Sequence, residues 1–276
     1  LLCLPMVVLA QKTYIPDDNF EQALINLGYD NVLDDSVLTA NINTVLTLDI
    51  VGRSISDITG IEDFDSLQVL SCDDNLLTTL DVSQNTALTR LYCKDNPISS
   101  LDLSSNINLV QLSCGDFLKL PNNLLGDTLL TSLNVTQNTF LKDLSIHHNL
   151  LNSLDLSQNI LLEELSLDSS AIYLLDLSNN INLESVDIDS AGINCIDIRN
   201  GNNSNITDLY LLNNPNLSCI DVDDSLYSTL NWIGSNFLFD TQQFFSNNCN
   251  CSGTGIEEHN TNKQLLKVTD LLGRET

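Results

Sequence analysis

Leucine and other aliphatic residues recur through most of this chain in one fixed pattern. From Leu67 the pattern reads Leu-x-x-Leu-x-Cys-x-x-Asn-x-Leu-x-x-Leu-Asp-Val-Ser-x-Asn, and it restarts at Leu88, 21 positions later. Further copies begin at Leu109, Leu141, Leu162, Leu183 and Ile206. A unit of this length buries its apolar side only against its neighbours, so a fixed period of this kind is typical of stacked coils. The pattern predicts a solenoid over residues 46–223.

Each copy contains a short triplet of the form Leu-x-Leu or Leu-x-Cys that predicts a β-strand. Residues of a strand point alternately inward and outward, so successive coils stack their inward leucines into one aliphatic core beneath a parallel sheet. The Asn after each strand lies where the chain turns, and its side chain can satisfy unpaired backbone groups. Leu133 follows Leu101 by 32 positions, an excess of 11 over the period, which predicts an insertion near 117–127.

Both ends of the solenoid carry segments that we expect to act as caps. Within residues 11–45, the stretch from Asp17 to Gly28 predicts a short helix, because acidic residues stand at its start and Gly at its end. Within residues 224–255 the leucine pattern gives way to aromatic residues that would close the core, namely Tyr227, Trp232, Phe237, Phe239, Phe244 and Phe245. The chain is therefore expected to be mainly short parallel strands and turns with two terminal caps.

The repeat resembles that of secreted bacterial leucine-rich-repeat proteins. The variant Leu-x-x-Leu-Asp-Val-Ser-x-Asn, preceded by the segment from Ile15 to Glu21, looks like the form found in Bacteroidetes. This resemblance covers about residues 46–222 and implies a leucine-rich-repeat solenoid. The motif is specific for the fold but weakly informative about function.

The two ends of the sequence resemble export signals. Residues 1–10 are an apolar run ending in Ala10, similar to a signal peptide whose charged start is missing; a buried first strand is the alternative. Residues 256–276 contain, from Asn262, a segment similar to the start of a type IX secretion sorting domain, with an amphipathic tail helix as the alternative. The resemblance implies a secreted or surface-displayed protein whose sequence is cut at both ends. No membrane span is expected, because no other stretch approaches about 18 apolar residues.

The strong negative charge excludes several classes of partner. The chain has 10 Lys and Arg against 37 Asp and Glu, a net charge of −27. Nucleic acid and anionic membranes would be repelled at long range, so neither is expected as a partner.

The outward residues of the strands are the candidate binding surface, because in a solenoid they form the concave face. Arg90, Tyr92 and Lys94 make a basic aromatic spot in one coil. The C-terminal half of this face is acidic, and the remaining candidate residues there are Asp143, His147, Glu164, Asp168, Asp187, Asp189, Asp208 and Tyr210. A cationic protein patch, or a glycan held through calcium, would suit the acidic half. The alternative is a solvated acidic surface that aids solubility.

A second column of acids follows the third leucine of most coils. Stacked carboxylates in this column would repel one another unless hydrogen bonds or cations neutralised them. Calcium is the natural cation for oxygen ligands, but the Ser or Thr two residues later offers a hydrogen-bond ladder instead. No cofactor is expected apart from this calcium alternative. The column comprises Asp81, Asp102, Asp155, Asp176, Asp197 and Asp221.

The cysteines fall into two groups. Cys72, Cys93 and Cys114 replace the second strand leucine and are expected as free, buried thiols. Cys219 and Cys249 flank the aromatic cap and are the favoured disulfide, although Cys195 and Cys251 compete for the pairing.

No motif of an enzyme active site is evident in the sequence. The three histidines have no catalytic motif around them, and His147 and His148 are expected to be an exposed pair rather than a zinc site. The sequence therefore predicts a monomeric, non-enzymatic binding module for a protein or polysaccharide. The alternative is a structural or adhesive spacer of the cell envelope.

Overall fold

The chain winds as a solenoid in which each coil contributes one strand to a large parallel sheet. The computed structural model describes residues 10–115 and 130–249. The expected insertion near 117–127, most of the signal-like segment and the sorting-domain segment lie outside the described residues. The large sheet has nine strands, which are β3 (Thr47–Asp49), β4 (Val69–Ser71), β5 (Arg90–Tyr92), β6 (Gln111–Gly115), β7 (Asp143–His147), β8 (Glu164–Ser166), β10 (Ser185–Asp187), β12 (Asp208–Leu211) and β14 (Phe237–Phe239).

Inward leucines of consecutive strands lie side by side and form the core. Leu70 pairs with Leu91, and Leu91 pairs with Leu112, in the registers of β4, β5 and β6. Leu144 continues this row into β7, and every member named is fully buried. The predicted solenoid with an aliphatic core is thereby confirmed.

A second parallel sheet, which the repeat pattern did not predict, runs along the C-terminal coils. Its four strands are β9 (Leu174–Asp176), β11 (Cys195–Asp197), β13 (Cys219–Asp221) and β15 (Phe244–Ser246). At the position before the third leucine, the earlier coils have Ser or Thr, whereas these coils have Leu174, Cys195 or Cys219. Leu174, Cys195 and Cys219 are less polar than Ser or Thr, which suits their half-buried positions in this sheet.

Two columns of buried asparagines hold the turns together. Asn75 donates from Nδ2 to the carbonyl oxygens of Cys72 and, in the preceding coil, Ile50, both at 2.9 Å. Its Oδ1 accepts from the backbone N–H of Ile55 at 3.0 Å. In the other column each Nδ2 donates to two carbonyls of the preceding coil, at Asn85, Asn106, Asn138, Asn159 and Asn180. These side chains add hydrogen-bond donors to the carbonyls of the turns and so join each coil to the preceding one.

The N-terminal end is closed by the predicted helix and a small antiparallel pair. Strand β1 (Lys12–Tyr14) pairs with β2 (Ser36–Leu38), α1 spans Asp18–Asn26, and α2 spans Thr39–Ile42. Asp17 caps α1, since its Oδ1 accepts from the N–H of Phe20. Its Oδ2 accepts from the N–H of Ser56 at 2.9 Å, which joins the helix to the first coil.

The C-terminal end is closed by α3 (Ser225–Asn231) and the aromatic residues beyond it. The ring of Trp232 stacks on Phe237 and meets Phe245 edge-on, with centroids 6.1 and 5.3 Å apart. A disulfide joins Cys219 of β13 to Cys249, with the two Cα atoms 5.7 Å apart. Cys195 is disulfide-bonded as well. The last coil is therefore fastened to the cap covalently and by ring packing.

Candidate binding surface on the nine-stranded sheet

The outward residues of the nine-stranded sheet, which we call the concave face, stand in columns. Arg90, Gln111, Asp143 and Glu164 are consecutive partners in one column. The next column is Tyr92, Ser113, Ser145, Ser166, Asp187 and Tyr210. The structure thus places the expected binding residues on, or at the ends of, adjacent strands of one sheet.

A polar cavity opens in the middle of the concave face. Its volume is about 410 Å³, within the roughly 300–1,000 Å³ typical of ligand pockets. It is lined by Asp73, Tyr92, Lys94, Gln111, Ser113, Asp143, Ser145, Glu164, Leu165, Ser166, Ser185 and Asp187. Of the expected residues, the cavity brings together Tyr92, Lys94, Asp143, Glu164 and Asp187. It leaves outside its wall Arg90, His147, Asp168, Asp189, Asp208 and Tyr210.

Small side chains explain why the cavity is where it is. Ser113, Ser145 and Ser166 are three consecutive members of one column, and the larger Tyr92 and Asp187 stand at the two ends of this run. The run of serines lowers the surface between its larger neighbours. Sequence reasoning had aligned this column but had not assigned its serines to the site.

A chain of hydrogen bonds fixes the wall at the Tyr92 end. The hydroxyl of Tyr92 donates to Oε1 of Gln111 at 2.6 Å. The side-chain amide of Gln111 in turn donates to the carboxylate of Asp143. Gln111 therefore orients both the phenol ring and the carboxylate, and the sequence alone did not assign it to the site.

His147 is buried, contrary to the prediction of an exposed histidine pair. The residue is 9% exposed, because its ring lies between neighbouring side chains of the sheet. Its Nε2 is 2.8 Å from the Ser145 hydroxyl, and its Nδ1 is 3.4 Å from Oδ2 of Asp168. The hydrogen bond with His147 is the main reason that the pKa of Asp168 is lowered. The Asp168 carboxylate is therefore engaged by His147 within the sheet.

Several other carboxylates of the concave face are held in an environment that disfavours their charged form. Burial, reinforced by the charges of Asp168 and Asp189, raises the pKa of Asp187 to about 6. Burial also raises the pKa of Asp143 and of Asp73, against the opposing effect of their hydrogen bonds. Taking a carboxylate out of water disfavours its charged form, and nearby like charges add to the cost.

Several acids at the strand ends hold the coils together. Asp73 accepts from the backbone N–H of Lys94 at 2.6 Å, and Asp189 accepts from that of Leu212 at 2.8 Å. Asp240, which sequence reasoning had not singled out, accepts from the N–H of Asn214 at 2.8 Å. These carboxylates satisfy backbone donors of a neighbouring coil, so part of the acidity of this face is structural.

The second acidic column, proposed from sequence as a calcium or hydrogen-bond ladder, has its carboxylates engaged by the backbone. Asp81 accepts from the N–H of Ser83 at 2.9 Å, and the same contact recurs at Asp102, Asp155, Asp176 and Asp197. Asp221 instead accepts from the N–H of Cys249 at 2.6 Å. Within residues 10–115 and 130–249, no group of three or more His, Cys, Asp or Glu side chains is arranged to hold a metal ion. The column thus shows the hydrogen-bond arrangement.

The three cysteines of the inward column are buried and free, as expected. Cys72, Cys93 and Cys114 are each at most 3% exposed. Burial raises the pKa of each thiol, which keeps the groups protonated and unreactive. In the described part of the chain, no helix is long and apolar enough to cross a membrane.

Solved structures of bacterial proteins share this architecture. Internalin C2 of Listeria monocytogenes superposes with a TM-score of 0.58 at 21% identity, over 86% of this chain and 99% of that chain. The chain has the leucine-rich-repeat fold. The internalin InlF of the same bacterium gives a TM-score of 0.51 at 19% identity, over 85% and 83% of the two chains. A leucine-rich-repeat protein of Leptospira interrogans gives 0.52 at 17% identity, over 67% and 51%.

Sequence comparison reaches a shorter part of the leucine-rich repeats. Internalin J of Listeria monocytogenes is 38% identical over 73 residues, or 26% of this chain. The matched segment spans only 8% of internalin J. No family model matches the chain. The likeness therefore concerns the fold and the repeat, and the ligand has to be argued from the concave face itself.

Proposed function

We propose that this protein is a leucine-rich-repeat binding module that holds a protein ligand against its concave face. The observation that carries the proposal is the open polar cavity of about 410 Å³, whose wall contains carboxylates with raised pKa. A ligand that brings positive charge to these groups would relieve their repulsion and gain from electrostatic complementarity. Solenoids commonly use such extended surfaces for binding.

The same proposal includes export and a monomeric state. Export is supported by the similarity of residues 1–10 to a signal peptide and of the segment from Asn262 to a type IX sorting domain. Both segments lie outside the described residues. Relatives in fold include internalins, and display on or release from a bacterial surface is our proposal for this chain as well.

Charge reversal on the concave face tests the proposal. The triple variant Asp143→Lys, Glu164→Lys, Asp187→Lys is expected to lose capture of ligand from cell-surface extracts, because it replaces three acids of the cavity wall. A matched control carries the same change at exposed acids outside the cavity, Asp18→Lys, Asp65→Lys and Glu184→Lys. Equal capture by the two variants would count against recognition through the concave face and favour a spacer role. Capture of a polysaccharide in place of a protein would correct the ligand class.

A further inference from the structure

Three carboxylates from consecutive strands line the central cavity. Asp143 of β7 and Glu164 of β8 are direct partners in the sheet, and Asp187 stands on β10. Neighbouring strands lie about 4.8 Å apart, so partners in register with like charges repel. Lys94 also lines the cavity and its charge partly offsets that of Asp143, but none of the three carboxylates forms a salt bridge within the part of the chain that the structure describes.

Two polar groups of the same wall lack partners. Oδ1 of Asp187 is buried from solvent and has no hydrogen-bond partner among the described residues. Ser113, which is 6% exposed, lines the cavity, and its hydroxyl makes no side-chain hydrogen bond within residues 10–115 and 130–249. A buried polar group without a partner costs free energy, so Oδ1 of Asp187 would gain from a ligand that donates a hydrogen bond, and the Ser113 hydroxyl lies in the same wall.

The spread of these acceptors favours an organic cation over a metal ion. No three acidic, His or Cys side chains of the described residues converge closely enough to hold a metal. The cavity is also far larger than one ion needs. A guanidinium group carries five N–H donors in a planar fork that suits spaced carboxylates, whereas an ammonium group is a compact point charge.

We propose that the cavity is the subsite for an arginine side chain presented by a protein ligand. Asp143, Glu164 and Asp187 receive the guanidinium, with the Ser column as the floor beneath it. Tyr92, whose ring is fixed by its hydrogen bond to Gln111, forms one end of the wall and can contact the cation through its face. This inference rests on the proposed function and names the chemistry of its ligand.

Matched peptides test the subsite. The probes are acetyl-Gly-Gly-Arg-Gly-Gly-amide and its citrulline counterpart, which keeps the shape of arginine but removes the charge. We expect the arginine peptide to shift amide resonances of Ser113, Asp143, Glu164 and Asp187 in the isotope-labelled full chain. The citrulline peptide should bind at least about tenfold more weakly, because the charge-assisted hydrogen bonds are lost.

Asparagine variants show which carboxylates bind the arginine peptide. Asp143→Asn with Asp187→Asn should weaken the arginine peptide about tenfold or more, since two charged acceptors become neutral. Glu184→Gln changes an exposed acid directly before β10 and outside the cavity wall, and it should leave binding within about twofold once long-range charge is screened by salt. Equal binding of both peptides, or shifts that map away from the cavity, would overturn the subsite. If these failures occurred while the charge-reversed protein still lost capture, the proposed function would stand without the arginine subsite.

Discussion

At the scale of single residues, the charged groups of the concave face lower the stability of the folded state. Asp187 lies half-buried among like charges, and burial raises its pKa to about 6, well above the ordinary value of an aspartate. The titratable groups that face it come from its own coil and from its neighbours, and they are His147, Glu164, Asp168, Asp189, Asp208 and Tyr210. Such strain is common where a surface is shaped for binding instead of for folding.

Replacement of Asp187 by Asn should stabilise the protein at neutral pH. Because the folded state binds the Asp187 proton more tightly than the unfolded state, the contribution of the protonated form is complete below pH 3.8 and is lost as the pH rises through about 6. Asp187→Asn keeps a neutral side chain, so we expect it to raise the free energy of unfolding by about 1 kcal/mol near pH 7.5, a value reduced for solvent screening. Urea unfolding of both proteins across this pH range would measure the difference.

This difference should shrink as the pH falls and vanish near about pH 4, where both side chains are neutral. A variant that is less stable than the wild type at pH 7.5, or a difference that does not change with pH, would show that Asp187 is not held in an unfavourable charged state.

At the scale of the single coil, the buried asparagines explain why the repeat keeps its length. Asn159 is fully buried and donates to the carbonyls of Val135 and Asn138 at 3.0 and 2.9 Å. A one-residue slip would remove this side chain from both acceptors. The period of 21 therefore reflects hydrogen-bond geometry as well as core packing.

Truncation of one ladder asparagine should be costly. Asn159→Ala removes the side-chain donor shared by the carbonyls of Val135 and Asn138, each of which keeps one backbone donor, and we expect it to lower the free energy of unfolding by roughly 1–3 kcal/mol. The neighbouring Gln158 is exposed, so Gln158→Ala is the matched control and should change stability by less than about 0.5 kcal/mol. Similar losses for the two variants in urea unfolding would contradict a structural role for the ladder.

Coil-level features were predictable from sequence to different extents. The strand columns followed from the spacing of leucines, because one inward position per coil fixes the register of the outward ones. The second sheet did not follow, since it depends on weak preferences at positions such as Leu174 and Cys195. The sequence pattern did not predict the burial of His147 or the hydrogen bonds of Gln111. Both depend on the side-chain conformations of three adjacent coils, and the spacing of residues along the chain does not determine these conformations. The run of three serines was the available signal for the cavity.

At the scale of the whole molecule, each coil of the solenoid contacts only its neighbouring coils. The free energy of unfolding should therefore be approximately the sum of the contributions of single coils and of the interfaces between neighbours, and the caps cover the two ends of the core. The disulfide between Cys219 and Cys249 closes a segment with a sequence separation of 30 at the C-terminal end. The disulfide should therefore stabilise mainly the coils beside it.

Loss of this disulfide should loosen one end of the molecule selectively. We expect the double variant Cys219→Ser, Cys249→Ser to lower the free energy of unfolding of the C-terminal cap by about 3–4 kcal/mol, because the unfolded chain is no longer held in a closed loop. Hydrogen exchange is expected to accelerate in β13, α3 and β15 and to stay unchanged in β4 and β5, because distant coils are not in contact. Uniform acceleration throughout the chain would show instead that the solenoid unfolds as one cooperative unit.

The central claim is that ligand is held on the concave face, and site-specific photo-crosslinking tests it most directly. A benzophenone amino acid at Ser185 would stand at the cavity wall and leave its carboxylates in place, whereas the same group at Gln158 would stand on an exposed turn outside it. With cell-surface extract as the source of ligand, we predict a discrete crosslinked species from the Ser185 position and none from the Gln158 position. Crosslinking of the same species from Gln158 but not from Ser185 would contradict the account.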